Sequence, residues 1–204
     1  MDTVFVIVII IFSAIVHEVM HGYVADMLGD PTARYAGRLT LNPLPHLDMF
    51  GSIILPLLLV FSHSPIFFGY AKPVPYNPYN LRPGRFSEAL VAGAGPLSNL
   101  VLALLGGLVI RSHVFPAGSD IIFLIVVVNV MLCIFNLIPI PPLDGSKVLE
   151  ALLPRSLSPG YRSWLQRMNA NPLLGMLLVL LIIFTLGSMW GNLIYSLAQA
   201  IAGM

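Results

Sequence analysis

The sequence predicts an all-α polytopic membrane protein, with about four to five transmembrane helices plus a re-entrant or membrane-associated extended segment. Three observations predict it. Apolar residues make up 57% of the 204-residue chain. Charged residues make up only 9%, 10 basic and 9 acidic, where an average soluble domain carries roughly a quarter. Apolar runs also recur at the length of about 20 residues that a helix needs to cross a bilayer core. The mean hydropathy of +0.90 agrees. A surface this poor in charge cannot face water all round. That excludes a soluble enzyme, a disordered chain and a nucleic-acid binder with a basic face. The chain reads as a single domain over residues 1–204, with no internal repeat and no low-complexity tract.

The first span is expected over residues 3–28. It lacks a basic leader and a small-residue cleavage site, so it reads as a retained helix rather than a signal peptide. The second is expected over 86–110 and the third over 120–138. The last runs over 173–201, after Asn171-Pro172, a fitting helix start. A further apolar stretch, 51–68, contains Pro56 and is interrupted by Ser62-His63-Ser64-Pro65. Its uninterrupted part is too short to cross as one helix, so it reads as re-entrant or surface-lying. Pro-rich stretches at Asn42-Pro43-Leu44-Pro45 and from Lys72 to Pro78 read as extended loops. Arg155, Arg162, Arg167 and Trp164 suit a segment lying on the membrane surface. Cys133 is the lone cysteine, so no intrachain disulfide exists and the thiol reads as buried and inert.

The basic residues orient the chain, because they prefer cytoplasmic loops. With four crossings and both termini outside, Arg34, Arg38, Lys72, Arg82, Arg85, Lys147, Arg155, Arg162 and Arg167 are cytoplasmic. Only Arg111 lies outside. If 51–68 also crosses, the basic loops fall on both sides.

Ionisable residues inside a span point to function. The first span carries His17-Glu18-Val19-Met20-His21, an H-E-x-x-H spacing. On a helix, residues four apart share a face, so both imidazoles point one way and can hold one zinc ion. Glu18, beside the first ligand, can take a proton from an attacking water. The alternative is a chance match with hydrogen-bonded histidines. Burying the trio in lipid makes that costly.

Three protein ligands are usual for catalytic zinc. Asp144 follows the third span in Asn136-Leu137-Ile138-Pro139-Ile140-Pro141-Pro142-Leu143-Asp144-Gly145. There, prolines break the helix and Gly145 lets the backbone turn. Topology favours Asp144 over His46 and Asp48 in the first loop. The alternative is that Asp144 N-caps the next helix. His63 and His113 read as solvated or interfacial.

Three motifs together resemble a known family. They are H-E-V-M-H at 17–21, G-A-G-P-L-S-N at 93–99, and N-L-I-P-I-P-P-L-D-G at 136–145, each in or beside a span. This set is similar to the site-2 protease family of intramembrane zinc metalloproteases. The likeness covers roughly residues 10–150 of the chain. Residues 29–43 are similar to the compact subgroup that lacks appended peptide-binding or nucleotide-sensing domains.

The resemblance implies that His17, His21 and Asp144 hold one catalytic zinc ion and that Glu18 is the general base. It also implies that Asn136 and Asn99 hold substrate backbone or the oxyanion. For Asn136, helix packing is an equal alternative. For Asn99, the nearby glycines favour packing slightly.

The expected activity is hydrolysis of peptide bonds within or near transmembrane segments. The partners are membrane-protein substrates and the lipid bilayer, not nucleic acid. The expected setting is the cell membrane, with the site open to the cytoplasm through Asp30, Arg34, Asp48 and Lys72. Extended segments at 37–41 and 69–76 could hold unwound substrate by strand addition. The rival classes are an inactive membrane scaffold and a membrane metal-binding or transport protein.

Overall fold

The computed structural model describes residues 3–48, 54, 61 and 72–204. All regular structure among them is helical. The helices are α1 (Thr3–Met27), α2 (Thr32–Tyr35), α3 (Ser87–Arg111), α4 (Ser119–Asn136), α5 (Gly145–Leu152), α6 (Ser158–Ala170) and α7 (Pro172–Ala202). Single 3-10 turns occur at Leu44–His46, Pro78–Asn80 and Pro116–Gly118. The apolar stretch 51–68 lies outside the described residues, apart from Ile54 and Phe61. So does the part of 69–76 before Lys72.

Four helical segments are long and apolar enough to cross a membrane: Phe5–Met27, Ser87–Arg111, Pro116–Asn136 and Leu173–Ala202. They match the four expected spans. The largest discrepancy is at the third, which ends at Asn136 rather than at 138. Pro139 has no N–H to continue the ladder, and its ring disfavours helical backbone at the residue before it.

The chain divides into two compact units, Met1–Arg82 and Pro83–Met204. In the first, α1 carries a buried stripe of Ser13, His17, His21 and Ala25 at four-residue steps, with Ile15 and Val19 also buried. Chain after α1 packs back onto it. Gly22 permits this approach, since a Cβ there would lie 2.7 Å from Leu39 Cδ2, 2.8 Å from Val74 Cγ1 and 3.0 Å from Ala33 Cβ.

In the second unit, α3, α4 and α7 pack around Ala103, Val126, Val130 and Ala198. Small residues let the helix backbones approach closely, which is how helices associate where lipid removes the hydrophobic drive. Arg111 ends α3 by donating to Ile201 O and Ala200 O. It thereby satisfies last-turn carbonyls of α7 that have no partner within the helix. The proline turn after α4 packs Ile138 and Leu143 against Val179 of α7. The basic segment expected on the membrane surface is helical, as α6.

Candidate metal centre and active site

His17, Glu18 and His21 lie on α1. His17 and His21 are 6% and 9% exposed. Their rings stand edge to face, with centroids 4.7 Å apart and planes at 88°. The helix alone produces this pairing, because its pitch stacks positions i and i+4. Glu18 lies one residue round from His17 and is half-buried.

The Glu18 carboxylate is not left to water. Oε2 accepts a hydrogen bond from the Val74 backbone N–H at 2.8 Å. Val74 is buried in the irregular stretch 72–77, which meets α1 at Glu18 and Gly22. That stretch is fastened at several points. Lys72 N–H donates to His46 O (2.9 Å). Buried Arg38 donates to Lys72 O (2.6 Å) and Pro73 O (3.4 Å). Asn77 N–H donates to Asp30 Oδ2 (2.5 Å).

Asp30 is wholly buried. Its Oδ1 accepts from the Thr32 N–H and hydroxyl and from Asn80 Nδ2. Burial alone raises the Asp30 pKa, but these hydrogen bonds together outweigh it and hold the carboxyl below the ordinary carboxylate range. Asp30 was expected to line a water path. With no accessible surface it does not, and it organises the loop instead.

Asp144, the expected third ligand, belongs to the other unit and is described there by itself. Asp144 sits half-buried in the turn between α4 and α5. It stands at the N-cap position of α5, yet its side chain makes no capping hydrogen bond. The capping alternative is therefore not what this carboxylate does. Two contacts fix the turn. Gly145 lies against it so closely that a Cβ there would fall 2.1 Å from Leu137 O. Tyr161 of α6 donates its hydroxyl to Pro139 O (2.9 Å) and to Ser146 O (3.3 Å). Burial pushes the Tyr161 pKa up to about 12, with a contribution from the charge of Glu150, so the phenol remains a donor at any ordinary pH.

The remaining expected residues fall as follows. Asn99 is fully buried, and its Nδ2 donates to Asn129 Oδ1 (2.8 Å), bonding α3 to α4. Asn136 is half-buried at the end of α4, and its Nδ2 donates to Leu132 O (3.0 Å) one turn back. His46 is buried and its Nε2 pairs with Thr40 O (2.9 Å). His113 is exposed at the end of α3, and His63 lies outside the described residues. Residues 37–41 form a turn and bends, and the described residues contain no β-strand.

Sequence reading missed Val74, Tyr161 and Asn129 as parts of these arrangements. For Val74 one signal existed, since prolines on both sides of a single N–H mark a fixed, extended donor. For Tyr161 there was none.

The comparisons with known proteins agree with this chemistry. Residues 112–182 match the family model of Peptidase family M50. YwhC of Bacillus subtilis, which bears a zinc-metalloprotease name, is 41% identical over 169 residues, covering 78% of this chain and 72% of that protein. Rip2 of Mycolicibacterium smegmatis, similarly named, is 34% identical over 171 residues, 79% of this chain. The chain spans 64% of Rip2, just under two thirds of its length. No solved structure matches the chain. With one relative this similar over most of both chains, the chain belongs to Peptidase family M50, the site-2 protease family.

Proposed function

We propose that this chain is an intramembrane zinc metalloprotease that hydrolyses peptide bonds within or near the transmembrane segments of other membrane proteins. The observation that carries the reading is the buried His17–His21 pair with Glu18 beside it, inside a helix of membrane-crossing length. The family membership and the zinc-metalloprotease names of its relatives support it.

The donor set fits zinc. Two imidazoles and one carboxylate form a recurrent catalytic set, completed by water. His17 and His21 are adjacent and buried. Asp144, which does not cap its helix, is the proposed third ligand. When bound there, zinc acts as a Lewis acid that acidifies water and polarises a peptide carbonyl. Glu18 then takes the proton of the attacking water and returns it to the departing amine nitrogen. Asn136 is the better placed of the two asparagines to meet substrate. It is half-buried and its side chain, among the described residues, bonds within its own helix, whereas Asn99 is closed off against Asn129.

The substrate is a locally unwound transmembrane segment, because helix carbonyls are hydrogen-bonded and shielded. Cleavage of such segments is the chemistry of regulated intramembrane proteolysis. The charge distribution supports an enzyme with its site open to the cytoplasm; the cell membrane as its setting, and residues 1–204 acting as one catalytic domain, are part of the same proposal.

Two tests follow. The Glu18→Gln protein, expressed in native membranes, is expected to keep zinc by metal analysis while cleavage falls by about 10²- to 10⁴-fold. Survival of cleavage in that variant sinks the protease reading. Loss of zinc from Asp144→Ala and His17→Ala, but not from Glu18→Gln, supports the ligand assignment. For sidedness, cysteines placed at Asn77 and Pro116 should react with impermeant reagent from opposite faces. Reaction from one face overturns the orientation.

A further inference from the structure

We propose that the Val74 backbone N–H is a positioning group for Glu18, and that residues 72–77 form a built strap whose role is to present it. The inference rests on the protease reading and deepens it.

The strap's sequence is Lys72-Pro73-Val74-Pro75-Tyr76-Asn77. Proline has no N–H, and it drives the residue before it to extended backbone. Between 73 and 75 the strap therefore holds one N–H, on Val74, in a stretch already stiffened. That N–H goes to Glu18 Oε2 at 2.8 Å.

Its placement is determined from both ends. On one side, Lys72 is tied through its N–H to His46 O and through its carbonyl to buried Arg38. On the other, Asn77 is tied to Asp30, a buried carboxylate with three further donors. In the middle, Gly22 stands one turn after Glu18 on the same face of α1. Its missing side chain leaves room for the Val74 side chain, whose Cγ1 would lie 2.8 Å from a Cβ there.

The result holds one carboxylate oxygen and leaves the other for chemistry. Oε1 carries no hydrogen bond from the described residues. A glutamate on a helix has three rotatable bonds. A base that must meet a water at hydrogen-bond distance gains from having them fixed, since misplacement by about 1 Å can cost 10²-fold in rate. Val74 acts through Glu18, so it is a positioning group and not a catalytic one.

The test compares Val74→Pro, which removes the N–H, with Val74→Ala, which keeps it. The full chain is reconstituted in liposomes with a single-span model peptide that has an Asn-Pro break in its span. Val74→Pro is expected to lower kcat by about 10- to 100-fold with KM nearly unchanged and zinc content as in wild type, while Val74→Ala restores most of kcat. Equal kcat in the two variants overturns the proposal. So does a rise in KM at constant kcat, which would make the strap a substrate-binding surface instead.

A second measurement needs neither activity nor zinc. In protein labelled with ¹⁵N-valine, the Val74 amide is assigned by its loss in Val74→Ala. Its proton resonance should move upfield in Glu18→Ala. An unmoved resonance shows that no bond joins the two groups and overturns the proposal, whatever becomes of the protease reading. Conversely, a moved resonance together with full cleavage by Glu18→Gln keeps the bond and removes the protease reading.

Discussion

The two groups of expected zinc ligands, each within its own unit, are built in opposite ways. His17, Glu18 and His21 ride on one continuous helix, where the i, i+4 geometry alone pairs the histidines. Asp144 rides on a turn in which prolines have removed the helix ladder, and nothing periodic fixes its direction. Its placement depends on contacts from elsewhere, namely the close packing of Gly145 on Leu137 O and the Tyr161 hydroxyl on Pro139 O and Ser146 O. Local geometry thus tolerates change around the histidines. The aspartate inherits every error of its surroundings.

The sharpest way to break that comparison is Gly145→Ala. A methyl at 2.1 Å from a backbone carbonyl oxygen cannot be absorbed by rotating a side chain, so the turn itself must move. Overpacking of this kind costs about 1–3 kcal/mol or more. The expected outcome is zinc affinity reduced as far as in Asp144→Ala, measured by competition with a chromogenic chelator. Zinc affinity close to wild type would show that the turn is not the fragile side.

Asp30→Asn probes the helix-borne part through its loop. The amide nitrogen of Asn cannot accept from the Asn77 N–H, which leaves a buried donor without its partner. The expected loss is about 1–3 kcal/mol, read as a lowered unfolding midpoint in detergent, with zinc binding by the histidine pair affected less than by Gly145→Ala. Hydrogen bonding to the charged form holds the Asp30 pKa below its ordinary value. Its contribution is therefore present above the unfolded-state pKa of about 3.9 and is lost as pH falls through the lower folded-state value. The gap between wild type and variant should close on acidification below pH about 4. A gap that widens there refutes the assignment.

What was legible in the sequence follows the same division. The four spans and the H-E-x-x-H pair depend on composition and helical period, and both survive in a linear string. The turn that carries Asp144 was legible through its prolines and Gly145, yet what steadies it was not, because Tyr161 lies 15 residues from Ser146 and 22 from Pro139 in sequence. Asn99 was read as open to either of two roles. Its buried partner Asn129 is 30 residues away on another helix, a pairing that no local pattern encodes. Asp30 was assigned to a water path because a loop carboxylate is usually solvated. Only the fold reveals that four donors surround it.

The smallest expected effect is that of Tyr161→Phe. The change keeps the ring, and so its packing against Trp164 at 5.4 Å, and removes only the hydroxyl. Two carbonyls, Pro139 O and Ser146 O, lose a donor, but the bond to Pro139 is exposed and water can replace part of it. The expected cost is about 0.5–1.5 kcal/mol. That cost should be constant across the neutral and mildly alkaline range, because the phenol does not ionise until about 12. If the hydroxyl holds the Asp144 turn, zinc affinity should fall several-fold while the Val74 amide resonance stays where it is. Equal disturbance of both readouts would mean that the α1 residues and the Asp144 turn are not independently built, and the contrast between them would fail.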